Sequence, residues 1–278
     1  MSLRINTNIT SAFSSYQLQK NQADLSGSLQ RLSTGKRINK ASDDAASMVI
    51  ANKLASQSRG FGQAIRNAND AISITQVADG ALGQATDLIQ DIRVNAIQAA
   101  SAAQSRESRL AIQADIGKSL ESLRDIAQNT SFNGQKLLSG AFTDKQFQVG
   151  ASSGEIIEIS LGSIDPSQIS DETLGALADI DVTTQEGAQA AIELTDIALD
   201  YISQQRSQAG SSQNQLESTI NNLSNARINT LSAESEIRDL DYAEESINLN
   251  KIKLLSKART FALAQSNTTA KQILDIFE

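Results

Sequence analysis

The chain has no cysteine, no histidine and no tryptophan, and Pro166 is the only proline among its 278 residues. Without cysteine there is neither a disulfide nor thiol chemistry, which fits a cytosolic chain or one exported without an oxidative folding step. The lack of both histidine and cysteine excludes Ser-His-Asp and Cys-His catalysis and zinc sites of the common kind. Aromatic residues are 4% of the chain, so the bulky centrepieces of a globular enzyme core are missing. No apolar run approaches the ~20 residues that span a bilayer. The opening Met1-Ser2-Leu3-Arg4-Ile5-Asn6 has no continuous hydrophobic region, so no cleavable signal peptide is expected. Basic runs are also lacking and the net charge is −8, which argues against nucleic acid and anionic membrane as partners. Glycines are scattered without a phosphate-binding fingerprint, and no cofactor is expected. Asp239, Asp241, Glu244 and Glu245 cluster near the C-terminus. A calcium site is conceivable there, but a helix start favoured by the helix dipole accounts for the acids better.

What is present is helical patterning. Leu240, Ile247, Leu254 and Phe261 recur every seven residues. Near the other end Leu18, Leu25 and Leu32 do the same, with Leu29 at the d-like position. A seven-residue apolar repeat asks for a partner helix, so the two ends are expected to pair with each other or with copies of themselves. With one proline, helices run on unbroken. The first helix is predicted from about Asn8 to Ser33, with Gly35 just past its end. Ser42 is the predicted cap of the next helix, with Asp43 and Asp44 at its positive end. That helix runs to about Gln98, striped by Ile65, Ala68, Ile72, Thr75, Leu82, Ala85, Leu88, Ile89 and Ile92. A small polar turn at Ser101–Ser105 precedes a helix over about Glu107–Asn129.

From Thr130 the pattern changes. Asn133-Gly134 signals a turn. Phe147 and Val149, and then Ile157, Ile159 and Leu161, alternate with polar residues around a Gly150–Gly154 loop, which predicts one β-hairpin. Helical pattern returns near Thr184 in one or two pieces to Leu231, and a last helix starts near Ile237. The fold class is therefore mainly α, with nested N- and C-terminal helices and a small β-hairpin insertion. Residues 1–42 and 238–278 form a terminal coiled-coil layer, 43–140 and 190–237 a helical rod, and 141–189 the β-containing insertion.

These residues resemble bacterial flagellin. Leu3-Arg4-Ile5-Asn6-Thr7-Asn8, Leu32-Ser33-Thr34-Gly35-Lys36-Arg37-Ile38-Asn39 and Ser42-Asp43-Asp44-Ala45-Ala46 are similar to the family's N-terminal marks. Arg66–Ala71, Thr130-Ser131-Phe132-Asn133-Gly134, Asn222–Arg227, Asp241-Tyr242-Ala243 and Leu263-Ala264-Gln265 extend the match over roughly 1–140 and 190–278. The stretch Phe142–Ser152 is similar to flagellins of epsilon-class proteobacteria. The resemblance implies a subunit that polymerises into the flagellar filament, an extracellular polymer of identical copies. Its terminal helices would line an inner tube, the rod would surround them, and the short insertion would face outward. It further implies export through a dedicated secretion apparatus with an export chaperone, growth beneath a filament cap, and contact with hook-associated proteins.

Departures from the family pattern also carry expectations. The segment read by Toll-like receptor five in many flagellins corresponds here to Ile89–Asn95. Gln90 and Arg93 match, whereas Asp91 replaces an Arg, Asn95 a Leu, and Asp115 stands for a Glu on the next helix. Charge reversal and loss of an apolar anchor predict weak receptor recognition. The C-terminus, Ile276-Phe277-Glu278, inverts the family's final positive charge. Ser152, Ser153, Ser163 and Ser167 are candidates for O-linked sugars, as found in some flagellins. A hook–filament junction protein shares the terminal helices, but often carries a proline after the Asp-Asp pair, where this chain has Ala45-Ala46. A soluble helical adaptor, or an enzyme housed in the insertion, is the remaining alternative. An insertion so short and without histidine argues against the enzyme.

Overall fold

The computed structural model describes residues 7–171 and 173–275, with side chains as far as 272. The opening Leu3–Asn6 motif and the Ile276–Glu278 tail lie outside the described residues. The protein is mainly α, with helices α1 (Ile9–Thr34), α2 (Ala45–Ala100), α3 (Arg106–Asn129), α4 (Gln185–Arg238) and α5 (Tyr242–Asp275). Between α3 and α4 lie six short strands, β1 (Ser131–Phe132), β2 (Gln135–Lys136), β3 (Lys145–Gln148), β4 (Ile156–Ile159), β5 (Ser170–Asp171) and β6 (Gly175–Ala176). They form three two-stranded antiparallel ladders, where one hairpin was expected. The expected hairpin is β3–β4, which pairs Phe147 with Ile157 and Lys145 with Ile159. The two additional ladders are too short to show as alternation. Asn133 and Gly134 turn β1 into β2 with φ of 48° and 78°, the positive values that an Asn-Gly hairpin turn requires. Gly175, at φ 85°, bends β5 into β6.

Local hydrogen bonds decide the helix ends. Asn8 caps α1 by accepting from the Ser11 amide at 3.0 Å. Gly35, at φ 68°, closes its other end with its amide on the Arg31 carbonyl at 2.9 Å. The cap of α2 is Asp44 and not Ser42, because the Asp44 carboxylate accepts from the Ser47 amide at 3.0 Å. Asp43 instead holds the preceding loop, accepting from the Asn39 and Lys40 amides at 2.9 Å each. α4 is one continuous helix that passes Leu231 and ends at Arg238. α5 starts at Tyr242, later than the expected Ile237, because Asp241 accepts from the Ala243 amide at 2.8 Å and caps it.

The chain divides into a terminal unit, residues 1–56 and 229–278, and a central unit, residues 57–228. The central unit holds the large core. In α2 its buried positions include Ala64, Ala68, Ala71, Thr75, Ala78, Leu82, Ala85, Ile89, Ile92, Ala96 and Ala99, which step alternately by four and three residues, while Ser58, Gly62 and Ile74 are buried outside that cadence. In α4, Ala188, Ala191, Thr195, Ala198, Ile202, Ala209, Leu216 and Leu223 follow the same cadence. This is a heptad cadence in which alanine is the commonest residue, so few large side chains are needed. Ile112, Ile116, Leu120 and Leu123 of α3 join the same cluster, together with Leu137, Phe142, Ile159, Leu161 and Leu177 of the insertion. Polar bonds hold these parts in place. Gln113 brackets the insertion, donating to the Ile180 carbonyl and accepting from the Val182 amide, both at 2.8 Å. Arg206 pairs with Asp79 at 2.8 Å between α4 and α2.

An alanine layer tolerates little added volume. Ala85→Leu, at a fully buried position, is expected to destabilise the central unit by about 1–3 kcal/mol. Ala114→Leu, on the exposed face of α3, should be nearly silent. Thermal unfolding of the two variants measures the difference.

Candidate assembly surface

The terminal unit is built from two helices that run antiparallel. Asn8 donates to the Ser266 carbonyl (3.2 Å), Asn21 to the Ile252 carbonyl (3.3 Å) and Arg259 to the Gln17 carbonyl (2.7 Å). Nearer the base the Tyr242 hydroxyl donates to the Leu32 carbonyl at 3.0 Å. A short backbone clasp closes this end, with Lys36 bridging Asp239, the Arg37 amide on the Arg238 carbonyl (2.8 Å) and the Leu240 amide on the Gly35 carbonyl (3.0 Å).

Most of the fully buried positions in the seam between α1 and α5 are polar. The buried residues of α1 are Asn21 and Ser28, and those of α5 among the described side chains are Glu245 and Ile252. Asn21 leaves its Oδ1 buried without a hydrogen-bond partner, the one side of its amide that the seam does not satisfy. Glu245, 9% exposed, pairs with Arg31 at 3.0 Å. Burial pushes the Glu245 carboxyl up, but Ser28, Arg31 and Asn248 beside it outweigh that and hold its pKa below the ordinary glutamate value. Beside the pair lies a groove of about 350 Å³, lined by Asp24, Gly27, Arg31, Lys251, Ile252 and Leu255 among others.

The seven-residue stripe of α5 does not enter this seam. Ile247 and Phe261 are each 72% exposed and Leu254 67%. Pairing of the two ends within one chain therefore uses other positions, with Leu249 and Leu263 half-buried beside Ile252. Leu18, Leu25, Leu32 and Leu240 are half-buried, and Leu29 is exposed. α1 adds Ile9, Phe13 and Tyr16, all more than 60% exposed and spaced to share one face. Sequence reasoning found the stripes and missed the seam. Arg31, Asn21 and Ser28 sit in polar surroundings, and Glu245 reads as one more acid at a helix start. Only their pairing across the chain sets them apart.

The other candidate residues lie in the central unit. Gln90 and Asp91 are exposed on α2, and Asn95 is half-buried. Arg93 is held in an ion pair with Asp196 of α4, and Asp115 on α3 pairs with Lys118 at 3.3 Å. Ser152 and Ser153 are exposed in the β3–β4 loop. Ser167 is exposed and donates to Asp165 at 2.6 Å. Ser163 is 8% exposed and its hydroxyl accepts from the Asp165 amide, so burial removes it from the surface where a sugar would be attached.

Residues 5–143 match the family described as the bacterial flagellin N-terminal helical region, and residues 192–277 its C-terminal helical region. The chain is 40% identical over 248 residues to a flagellin of Halalkalibacterium halodurans, covering 89% of this chain and 90% of that one. It is 45% identical over 201 residues to flagellin B of Helicobacter pylori, covering 72% of this chain and 39% of that one, in keeping with the likeness to epsilon-class flagellins. A putative flagellar hook-associated protein from Vibrio parahaemolyticus shares the fold, with a TM-score of 0.62 at 14% identity over 71% of this chain and all of that one.

The lowered pKa of Glu245 gives the terminal pair a pH dependence. Stability from a depressed carboxyl is complete above the ordinary glutamate value of about 4.3 and is lost as pH falls through the lower folded value. Hydrogen exchange, corrected for intrinsic rates, should show protection of α5 near Ile252 falling over that acid range. In Glu245→Gln protection should be reduced already at neutral pH and should change little on acidification.

Proposed function

The chain belongs to the bacterial flagellin family, and from that premise we propose how its parts assemble. It is a structural subunit of the flagellar filament, and its place of action is that extracellular polymer. In the proposed arrangement α1 and α5 form the inner tube, the central helices form the surrounding layer, and the short insertion between α3 and α4 faces outward. The exposed stripe Ile247, Leu254 and Phe261 is the main contact with neighbouring copies, joined by Leu29 and by Leu18, Leu25, Leu32 and Leu240 at the margins. The observation that carries this reading is the exposure of the stripe. Burying such a side chain gains about 1.5–3 kcal/mol, and within one chain that gain is forgone. A contact between unlike faces that does not close on itself continues as an open helical polymer. Delivery follows the family pattern, through an export chaperone and secretion apparatus. Growth proceeds beneath a cap and on a base of hook-associated proteins.

Phe261→Asp should raise the concentration needed for seeded polymerisation by roughly tenfold or more, since each 1.4 kcal/mol is a factor of ten. Circular dichroism should show the central helices intact. Normal polymerisation of the variant, followed by sedimentation and electron microscopy, would remove the stripe from the assembly contact.

A second reading concerns recognition by Toll-like receptor five. We infer weak recognition from Asp91, Asn95 and Asp115, and from Arg93, whose guanidinium is already engaged by Asp196. A partner would have to break that pair or accept its cost. A cell reporter assay on monomeric protein should give little activation, with a gain on Asp91→Arg combined with Asn95→Leu. Strong activation by the unaltered chain at low concentration contradicts this reading.

A further inference from the structure

We propose that Arg31 and Glu245 are the register-setting pair of the terminal helices, deciding which turn of α5 lies against α1 and which apolar stripe of α5 turns outward. The need for such a device comes from the seam itself. In α1 the fully buried side chains are Asn21 and Ser28, with Leu18, Leu25 and Leu32 only half-buried between and beside them, so apolar knobs fix the alignment weakly. α5 offers two apolar stripes, the exposed Ile247, Leu254 and Phe261 and the inward-facing Leu249, Ile252 and Leu263. They lie about 170° apart around the helix, from 100° per residue, so a rotation of the helix exchanges them.

Most cross-helix hydrogen bonds cannot arbitrate. Asn8, Asn21, Arg259 and Tyr242 all donate to backbone carbonyls, which recur at every residue and accept in a slipped alignment as well. Among the described residues three contacts join side chain to side chain, and the Ser266 hydroxyl on Asn8 Oδ1 is a long, neutral one at 3.5 Å. Ser11 with Asn267 is neutral and exposed, at 2.7 Å. Arg31 with Glu245 is charged and shielded, at 3.0 Å. One turn from Arg31 in either direction along α1 stands a glycine, Gly27 or Gly35, and three residues away stand Ser28 and Thr34. None of these supplies a cation. A slip by one turn therefore leaves a buried carboxylate without its partner, the costly outcome for a buried charge. A single polar pair that specifies register in this way is a positioning device, and its residues need not touch the neighbouring copy.

The consequence for assembly rests on the filament reading. The contacts Ser11–Asn267 and Gln17–Arg259 bracket Phe13 and Phe261, so the correct register sets these exposed aromatics at one level. A slipped pair would present them staggered.

The absence of native cysteine makes disulfide trapping in the full chain a direct test. Ser11→Cys with Asn267→Cys reports the native register, and Ser11→Cys with Leu263→Cys reports a slip of one turn. In the otherwise unaltered chain the first pair should close and the second should not. Adding Glu245→Gln should raise closure of the slipped pair relative to the native pair by about tenfold. The exchange Arg31→Glu with Glu245→Arg should return closure to the native pair, which a merely structural loss would not do. Exclusive closure of the native pair in Glu245→Gln, or failure of the exchange to restore it, overturns the proposal. Trapping is read on subunits, so the expected pattern in a chain that does not polymerise would uphold the register pair and count against the filament contacts instead.

Discussion

An imbalance between two helices governs the terminal unit. α5 has apolar side chains on two faces, and α1 is a single helix whose fully buried side chains are Asn21 and Ser28, with Leu18, Leu25 and Leu32 half-buried. The hydrophobic effect acts on area removed from water, so one narrow polar-lined partner leaves most of that gain unrealised. The exposed Ile247, Leu254 and Phe261 are the residue of that imbalance, and so are Ile9, Phe13 and Tyr16 across from them. A subunit built this way has a reason to be found among copies of itself.

The central unit resolves the same problem in the opposite manner. Its helices carry a heptad cadence in which alanine takes most of the layers of α2 and about half of those of α4, and larger residues such as Leu82, Ile89, Ile202 and Leu216 are interspersed. Small layers satisfy their surface within the chain, and the insertion adds Phe142, Leu161 and Leu177 to the same core. Cross-helix pairs such as Arg206 with Asp79 then fix alignment at the margin of an already packed seam. In the terminal unit the order is reversed, because most of the buried positions are polar and much apolar surface is left outside. One chain thus contains a pair of long helices that are complete and a pair that are not.

Burial and charge meet at Glu245. A carboxylate so shielded is tolerated only with a cation and donors beside it, and Arg31 and Asn248 supply them. Gly35, in its left-handed conformation at the end of α1, lets the chain turn directly into the clasp with Asp239 and Leu240, which holds the base of the pair. The ion pair and the clasp are neighbours along both helices, so the fixed end of the terminal unit lies at α1's C-terminus and α5's N-terminus.

Much of this was legible in residue order alone. The scarcity of proline and aromatics, the stop at Gly35, the Asn133-Gly134 turn and the β3–β4 alternation all express local preferences of the backbone, which act within a few residues. The family motifs were equally plain, and with them the filament role. Tertiary structure decided everything that depends on which distant face meets which. It placed Ile247, Leu254 and Phe261 in solvent, paired Arg31 with Glu245, buried Ser163 and split the insertion into three ladders. A heptad announces that a surface needs cover. The identity of the cover is a balance among competing partners far apart in the chain, and periodicity carries no term for them.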